Sequence, residues 1–364
     1  MNNQITELEI NNFKSIKHIK MDCKRINVII GRPNVGKSNI LEALALYNAP
    51  YSDSNNKILA DYIRYEKLNN LFFDLDKKNP ITIKSNLGFA LLSQMKGGFN
   101  NMYEFFLSPD NKLIKSINEN DAEIQNSPVN FFTKFEEKHS NPSLASYYGH
   151  INDDAKLQTR HIKVPGNFSP IKKYHFKPSA EHKNHFSQFL RPPFGDNLFT
   201  IIEENPRLWD EFASFFNQYG LDLLVDKVDE KLDVQKKAGR YVTKIPYSLA
   251  ADTLQRIIFH LAAIETNNDS VILFEEPESH SFPPYIQLLA ERIIKDENNQ
   301  YFIATHSPYL LTPFIEQCPP EDIAIFVARY EKYETKIKVL SEEEINNIMD
   351  TGIDLFFNIR AFEE

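Results

Sequence analysis

Cysteine, tryptophan and long apolar runs are all scarce in this sequence. Of its 364 residues two are cysteine, Cys23 and Cys318, and one is tryptophan. Two widely separated cysteines fit no disulfide framework and no zinc spacing, so a reducing cytoplasm is the expected setting. No apolar stretch approaches the roughly 20 residues that span a bilayer. The opening MNNQITELEI lacks the basic and apolar segments of a secretory signal. No membrane role is expected. A basic excess is missing too: 50 Asp and Glu outnumber 41 Lys and Arg, for a net charge of -9. That excludes a general polyanion binder and leaves any nucleic-acid contact to a local patch. Disorder is excluded from the other side, because 42% hydrophobic and 12% aromatic residues suffice for a large core.

Hydropathy patterning organises what is present. ITELEINNFKSIKHIKM alternates as a hairpin would, with Asn11-Asn12 as its expected turn. INVII at 26–30 is an unbroken apolar run, the pattern of a strand buried on both faces. After it, NILEALALY places Ile40, Leu41 and Leu44 on one helical face. Residues 96–160 turn rich in Asn, Ser and Lys, with strand-like pieces at YEFFLS and KLIKSI. PRLWDEFASFFNQYG reads as a helix closed by Gly220. From residue 247 helices alternate with short apolar strands, VILF and then YFIA, which implies a largely parallel sheet covered on both faces. IAIFVARY and TKIKVL read as closing strands. The expected division is 1–84 and 191–364 as two parts of one head, with 85–190 as an inserted arm.

GRPNVGKS at 31–38 satisfies G-x-x-x-x-G-K-[ST] between a buried strand and a helix. Gly31 and Gly36 let the backbone wrap closely round a polyphosphate, and the N–H groups of Arg32, Pro33's neighbours Asn34 and Val35, and the helix start at Asn39 face the anion. Lys37 is placed for the β- and γ-phosphates and Ser38 for Mg²⁺. No N-K-x-D element for guanine is evident, so ATP is expected over GTP.

A phosphate loop of this kind needs an acid on a neighbouring strand end, and hydrolysis needs a base for water. VILFEE supplies both: Glu275 on the metal side and Glu276 for the water. YFIATHSP ends a further buried strand with His306, a candidate sensor of the γ-phosphate.

Together NNFKSIKHIKM, INVIIGRPNVGKSNILEAL, VILFEEPESHSFPP and IATHSPYLL resemble ABC-type ATPases of the RecF, SMC and OLD-nuclease group. Stand-alone bacterial AAA-family members of antiphage defence and toxin-like operons are the nearest likeness. The resemblance covers 5–48 and 245–315, with RPPFGDNLF similar to a turn of these proteins. It implies an α/β P-loop NTPase: an ABC-type head with a mixed sheet flanked by helices and an inserted β-rich or α arm. It also implies one nucleotide site of Lys37, Ser38, Glu275, Glu276 and His306, completed by a signature turn from a second head, hence a homodimer or higher oligomer around ATP. In PYSLAADTLQR that turn is altered. If Ser248 is the signature serine, Leu249 and Ala250 replace its glycines; if the register follows DTLQR, Ala251 and Asp252 replace Ser-Gly. Slow or partner-dependent hydrolysis is the consequence expected.

Two further groupings have competing readings. Glu278 and His280 flank Ser279, which suits a divalent metal only with another ligand, or else a loop beside the ATP site. Residues 155–192 hold eight Lys or Arg against one acid, Glu181, interleaved with Tyr174, Phe176, Phe186 and Phe189. Nucleic-acid backbone or a solvated strand face over core aromatics would each suit this pattern. The stretch beyond THSP is too short for the TOPRIM nuclease of OLD proteins, so a nuclease or toxin effector is expected on a separate chain. The leading expectation is an ATP-gated sensor or scaffold in phage defence. A RecF-like repair ATPase and an assembly module with negligible hydrolysis are the alternatives.

Overall fold

The computed structural model describes residues 3–51, 57, 59–95, 102–108, 146–163, 169–178, 184–352 and 354–363. KLIKSI, Glu181 and Lys183 lie outside them.

The chain opens with β1 (Glu7–Phe13) and β2 (Ile16–Asp22), paired antiparallel. Their turn is at Lys14–Ser15 and not at Asn11–Asn12. Leu8 pairs with Met21, Ile10 with Ile19 and Phe13 with Ile16, all six buried. Keeping those six on the core side outweighs the turn preference of two asparagines, because a slip of register would expose them. β1 also pairs with β4 (Ile81–Ser85), and β5 (Gly88–Gln94), β6 (Met102–Ser108), β7 (Ser146–Asn152) and β8 (Leu157–Lys163) extend the same antiparallel sheet.

A second sheet carries the site. Its order is β16 (Glu334–Val339), β15 (Ile323–Glu331), β3 (Ile26–Gly31), β14 (Gln300–Ala304), β13 (Val271–Glu275) and β9 (Ile171–Tyr174). All pairings are parallel except β15 with β16. β9 therefore belongs to the head, while β5–β8 continue the N-terminal sheet.

Side-chain alternation explains the unbroken apolar strands. Ile26, Val28 and Ile30 enter one core, with Ile272, Phe274, Tyr301, Ile303, Ile325 and Val327. That core is packed by α2 (Leu198–Glu204), α3 (Pro206–Asn217), α4 (Asp252–Thr266), α5 (Pro283–Lys295), α6 (Pro308–Gln317) and α7 (Glu342–Thr351). Ile29, Leu273, Phe302 and Phe326 point the other way, against α1 (Lys37–Leu44) and the antiparallel sheet. The central sheet is covered on both faces, though one cover is mainly a sheet and not helices. A small antiparallel sheet, β10 (Asp222–Asp226), β11 (Lys231–Ala238) and β12 (Tyr241–Pro246), precedes α4. Among the described residues no helix is long and apolar enough to cross a membrane.

Candidate functional site

The phosphate loop hangs between two glycines that nothing else could replace. Gly31 has φ +149°, and a Cβ there would lie 2.4 Å from the Ala328 carbonyl oxygen on β15. Gly36 has φ +92°, and its Cβ would fall 2.1 Å from Thr335 Oγ1 and 2.7 Å from Ser15 Oγ. Between them Asn34 is left-handed (φ 62°), and Thr335 Oγ1 donates to the Val35 carbonyl at 2.9 Å. Gly36 caps α1 without a side-chain hydrogen bond, which leaves the helix N-terminus open to an anion.

Pro33, Asn34, Gly36, Lys37, Ser38 and Asn39 line a cleft of about 970 Å³ that also takes in Glu275, Glu276 and His306. Nine residues from three distant parts of the chain thus meet in one place. Lys37 is buried, with Nζ donating to the Gly31 and Arg32 carbonyls at 2.9 Å each. Burial lowers its pKa to about 8, against the opposing pull of Glu276. Asn39 Nδ2 donates to Ser15 Oγ at 2.7 Å. Val35 does not line the cleft, its side chain being buried. The Arg32 side chain takes no part in the cleft: it forms two hydrogen bonds with the Glu363 carboxylate, at 2.9 and 2.8 Å.

Strand geometry delivers the acids. Glu275 ends β13, and the backbone then breaks into the left-handed region at Glu276 (φ 45°), whose N–H is held by the Ala304 carbonyl at 2.8 Å. Glu276 is half exposed, with Oε1 3.6 Å from His306 Nε2 and Oε2 accepting from Ser279 Oγ at 3.2 Å. Burial, reinforced by the charge of Lys37, lowers the His306 pKa and favours neutral imidazole.

Glu275 lies among cations. Arg64 Nη2 is 2.9 Å from Oε1, Lys173 Nζ is 3.0 Å from Oε2, and the Ser38 hydroxyl donates to the same carboxylate. Burial alone would raise its pKa; Lys173, Ser38 and Arg64 outweigh burial and hold it at about 2. An ionised carboxylate beside a hydroxyl is an oxygen donor set that suits Mg²⁺. Among the described residues no group of three or more His, Cys, Asp or Glu forms a metal cluster. A metal here would complete its shell with phosphate oxygens and water, and would share Glu275 with two resident cations.

The cations are the part that sequence reasoning missed. Arg64 also binds Glu42 Oε1 at 2.8 Å, and Lys14 pairs with the same fully buried carboxylate. The signal for Lys173 is visible in retrospect, since IKKY sets two lysines inside a strand that is buried throughout. That burial removes Lys172 and Lys173 from any nucleic-acid surface. Lys172 Nζ donates to Ser270 Oγ at 3.0 Å and lies 3.6 Å from the Phe189 ring centre; Lys173 also donates to the Tyr62 carbonyl. Lys177 does stay exposed.

Ser248 is exposed in a single 3₁₀ turn, Tyr247–Leu249, and Asp252 is the first residue of α4. Neither lines the cleft of its own chain. Asp252 makes no cap; its Oδ2 accepts from Arg256 Nε at 2.6 Å, which offsets its charge. Glu278 is buried and His280 exposed, so the two do not converge as metal ligands.

Strand, phosphate loop, helix and paired strand-end acids define a P-loop ATPase of the ABC/AAA type. The chain belongs to the family described as AAA domain, putative AbiEii toxin, Type IV TA system, whose profile matches residues 26–312. It is similar to an "ATP/GTP phosphatase" of Helicobacter pylori (strain ATCC 700392 / 26695), 25% identical over 374 residues that span 93% of each chain. Solved structures that align with it include an SmcHead bound to the C-winged helix domain of ScpA, with a TM-score of 0.49 and 15% identity over 94% of this chain and 99% of that one. Another is an Smc head with an extended coiled coil bound to the C-terminal domain of ScpA, derived from Pyrococcus furiosus, with a TM-score of 0.47 and 12% identity over 95% and 98% of the chains.

Proposed function

We propose that this protein hydrolyses ATP in the cleft between the phosphate loop and the ends of β13 and β14. The observation that carries this reading is the convergence of Lys37, Ser38, Glu275, Glu276 and His306 on that cleft. Backbone N–H groups of the loop and Lys37 bind the phosphates. Ser38 and Glu275 would hold Mg²⁺, which when bound neutralises charge on the β- and γ-phosphate oxygens. Glu276 accepts a proton as water oxygen bonds to the γ-phosphorus and the bond to the β,γ-bridging oxygen breaks. His306 hydrogen-bonds the γ-phosphate.

Two heads joined face to face, each offering its Ser248 turn to the other's nucleotide, form the working unit of this proposal. The role proposed is that of an ATP-gated sensor or scaffold in phage defence acting with a separate effector; the family description, which names a putative toxin of a toxin–antitoxin system, supports the link to such systems. Two free, buried cysteines suit a reducing cytoplasm. The turn that lacks signature glycines, with Asp252 already engaged by Arg256, fits hydrolysis that is slow until a partner rearranges it.

Phosphate release by wild type and Glu276→Gln tests the reading, with ATP and GTP run in parallel. The substitution should slow release by roughly a hundred- to ten-thousand-fold while leaving nucleotide binding intact. Equal release by both proteins would remove catalysis from this cleft.

A further inference from the structure

Glu278 is three residues past Glu275, does not line the cleft, and is buried, at 9% exposure. A buried carboxyl is costly unless it is well bonded. One of its oxygens is: Oε1 accepts from Thr305 Oγ1 at 2.5 Å and from the His306 N–H at 3.1 Å. Thr305 Oγ1 in turn accepts from the Ser307 N–H at 3.0 Å, so one carboxyl gathers the whole turn between β14 and α6. Among the described residues its other oxygen, Oε2, is buried without a hydrogen-bond partner. A group kept in that position at such cost is doing something a smaller polar residue would not do. The turn it gathers carries His306, whose Nε2 is 3.6 Å from Glu276 Oε1. The loop it belongs to carries Glu276 itself.

We propose that Glu278 is a positioning residue for hydrolysis: its buried carboxyl clamps the Thr305–Ser307 turn and so fixes His306 opposite Glu276. The inference rests on the site assignment above. Glu278 touches neither nucleotide nor water; it sets the spacing of two groups that do. Thr305 is the second half of the clamp, fully buried and bonded through its hydroxyl.

A double-mutant cycle on ATP turnover and ATP affinity tests the clamp. Glu278→Ala should lower kcat by roughly ten- to a hundredfold, the usual cost of a small misplacement at a reacting centre, with ATP Kd changed less than about threefold. Thr305→Val should lower kcat in the same direction, and Thr305→Ser should restore it. Combined with His306→Ala, Glu278→Ala should add almost nothing, because both act through the same imidazole. Additive losses, or a loss confined to KM, would overturn the clamp. If His306→Ala alone turns over like wild type, the site assignment fails and the clamp with it. If Glu278→Ala does not fold, the Thr305→Val and His306→Ala cycle decides by the same criterion.

Discussion

Lys37 is an unusual cation for a residue that must meet a polyphosphate. Its burial brings the pKa to about 8 from 10.5, so in the free protein its charge fades just above neutrality. The folded-state value lies below the unfolded one, so a neutral Lys37 costs the fold nothing at high pH, while below about 8 keeping it charged opposes folding. Binding runs in the opposite sense, since phosphate favours the charged form. ATP affinity should therefore fall as pH rises through about 8, by up to about tenfold per unit, whereas ATP itself is already fully ionised. Titration calorimetry between pH 7 and 9.5 checks this, and a flat profile would contradict it. At this scale the sequence is legible where chemistry fixes spacing. Gly31, Gly36, Lys37, Ser38, Glu275 and Glu276 can all be read off two short motifs. Arg64 and Glu42 cannot, because an ion pair between loop and helix leaves no periodic trace. Arg32 misleads for a related reason: its neighbours in sequence suggest phosphate, but a carboxylate more than three hundred residues away takes its guanidinium.

β9 shows what an element hides when read by composition. Its lysines look like part of a basic stretch, yet the strand pairs in parallel with β13 and buries all four residues. Packing on both faces overrides the charge pattern here. Lys173→Glu would place a second carboxylate against Glu275 in a buried setting, and should destabilise the fold by about 3–5 kcal/mol. Lys177→Glu, three residues beyond the strand, loses a contact with the Phe194 ring at 4.9 Å and should cost less than about 1 kcal/mol. Urea unfolding of the two variants compares them, and equal midpoints would refute the assignment of Lys173 to the core. The hairpin teaches the converse lesson. Its strands were legible, while its turn was set by six buried side chains and not by the asparagines that favour turns.

At the scale of the whole molecule the alternation of strands and helices after residue 247 was legible, because β13 and β14 are apolar on both sides and α4 and α5 each carry an apolar face. The large antiparallel sheet was not, since its strands come from 7–22 and from 81–163 and only the fold joins them. Leu249 beside Ser248, Phe282 before α5 and Tyr309 at the start of α6 are 73%, 58% and 61% exposed, and the proposed pairing of heads would cover exposed apolar side chains of this kind. Glu276→Gln with ATP and Mg²⁺ should accordingly accumulate at twice the monomer mass by light scattering, and chelating the metal should return it to monomer. A monomer under both conditions would dismiss the paired-head arrangement.

The central position of β3 has a consequence for how the protein is made. β3 is synthesised well before both of its neighbours, β14 and β15. At about 5–20 residues per second an apolar INVII segment waits on the order of tens of seconds for partners. Throughout that interval the nascent chain presents an unpaired, uncharged strand edge to its surroundings. The phosphate loop therefore cannot hold nucleotide until β14 and β15 have joined β3. Chaperone occupancy on stalled, incomplete chains should persist until β15 has cleared the exit tunnel.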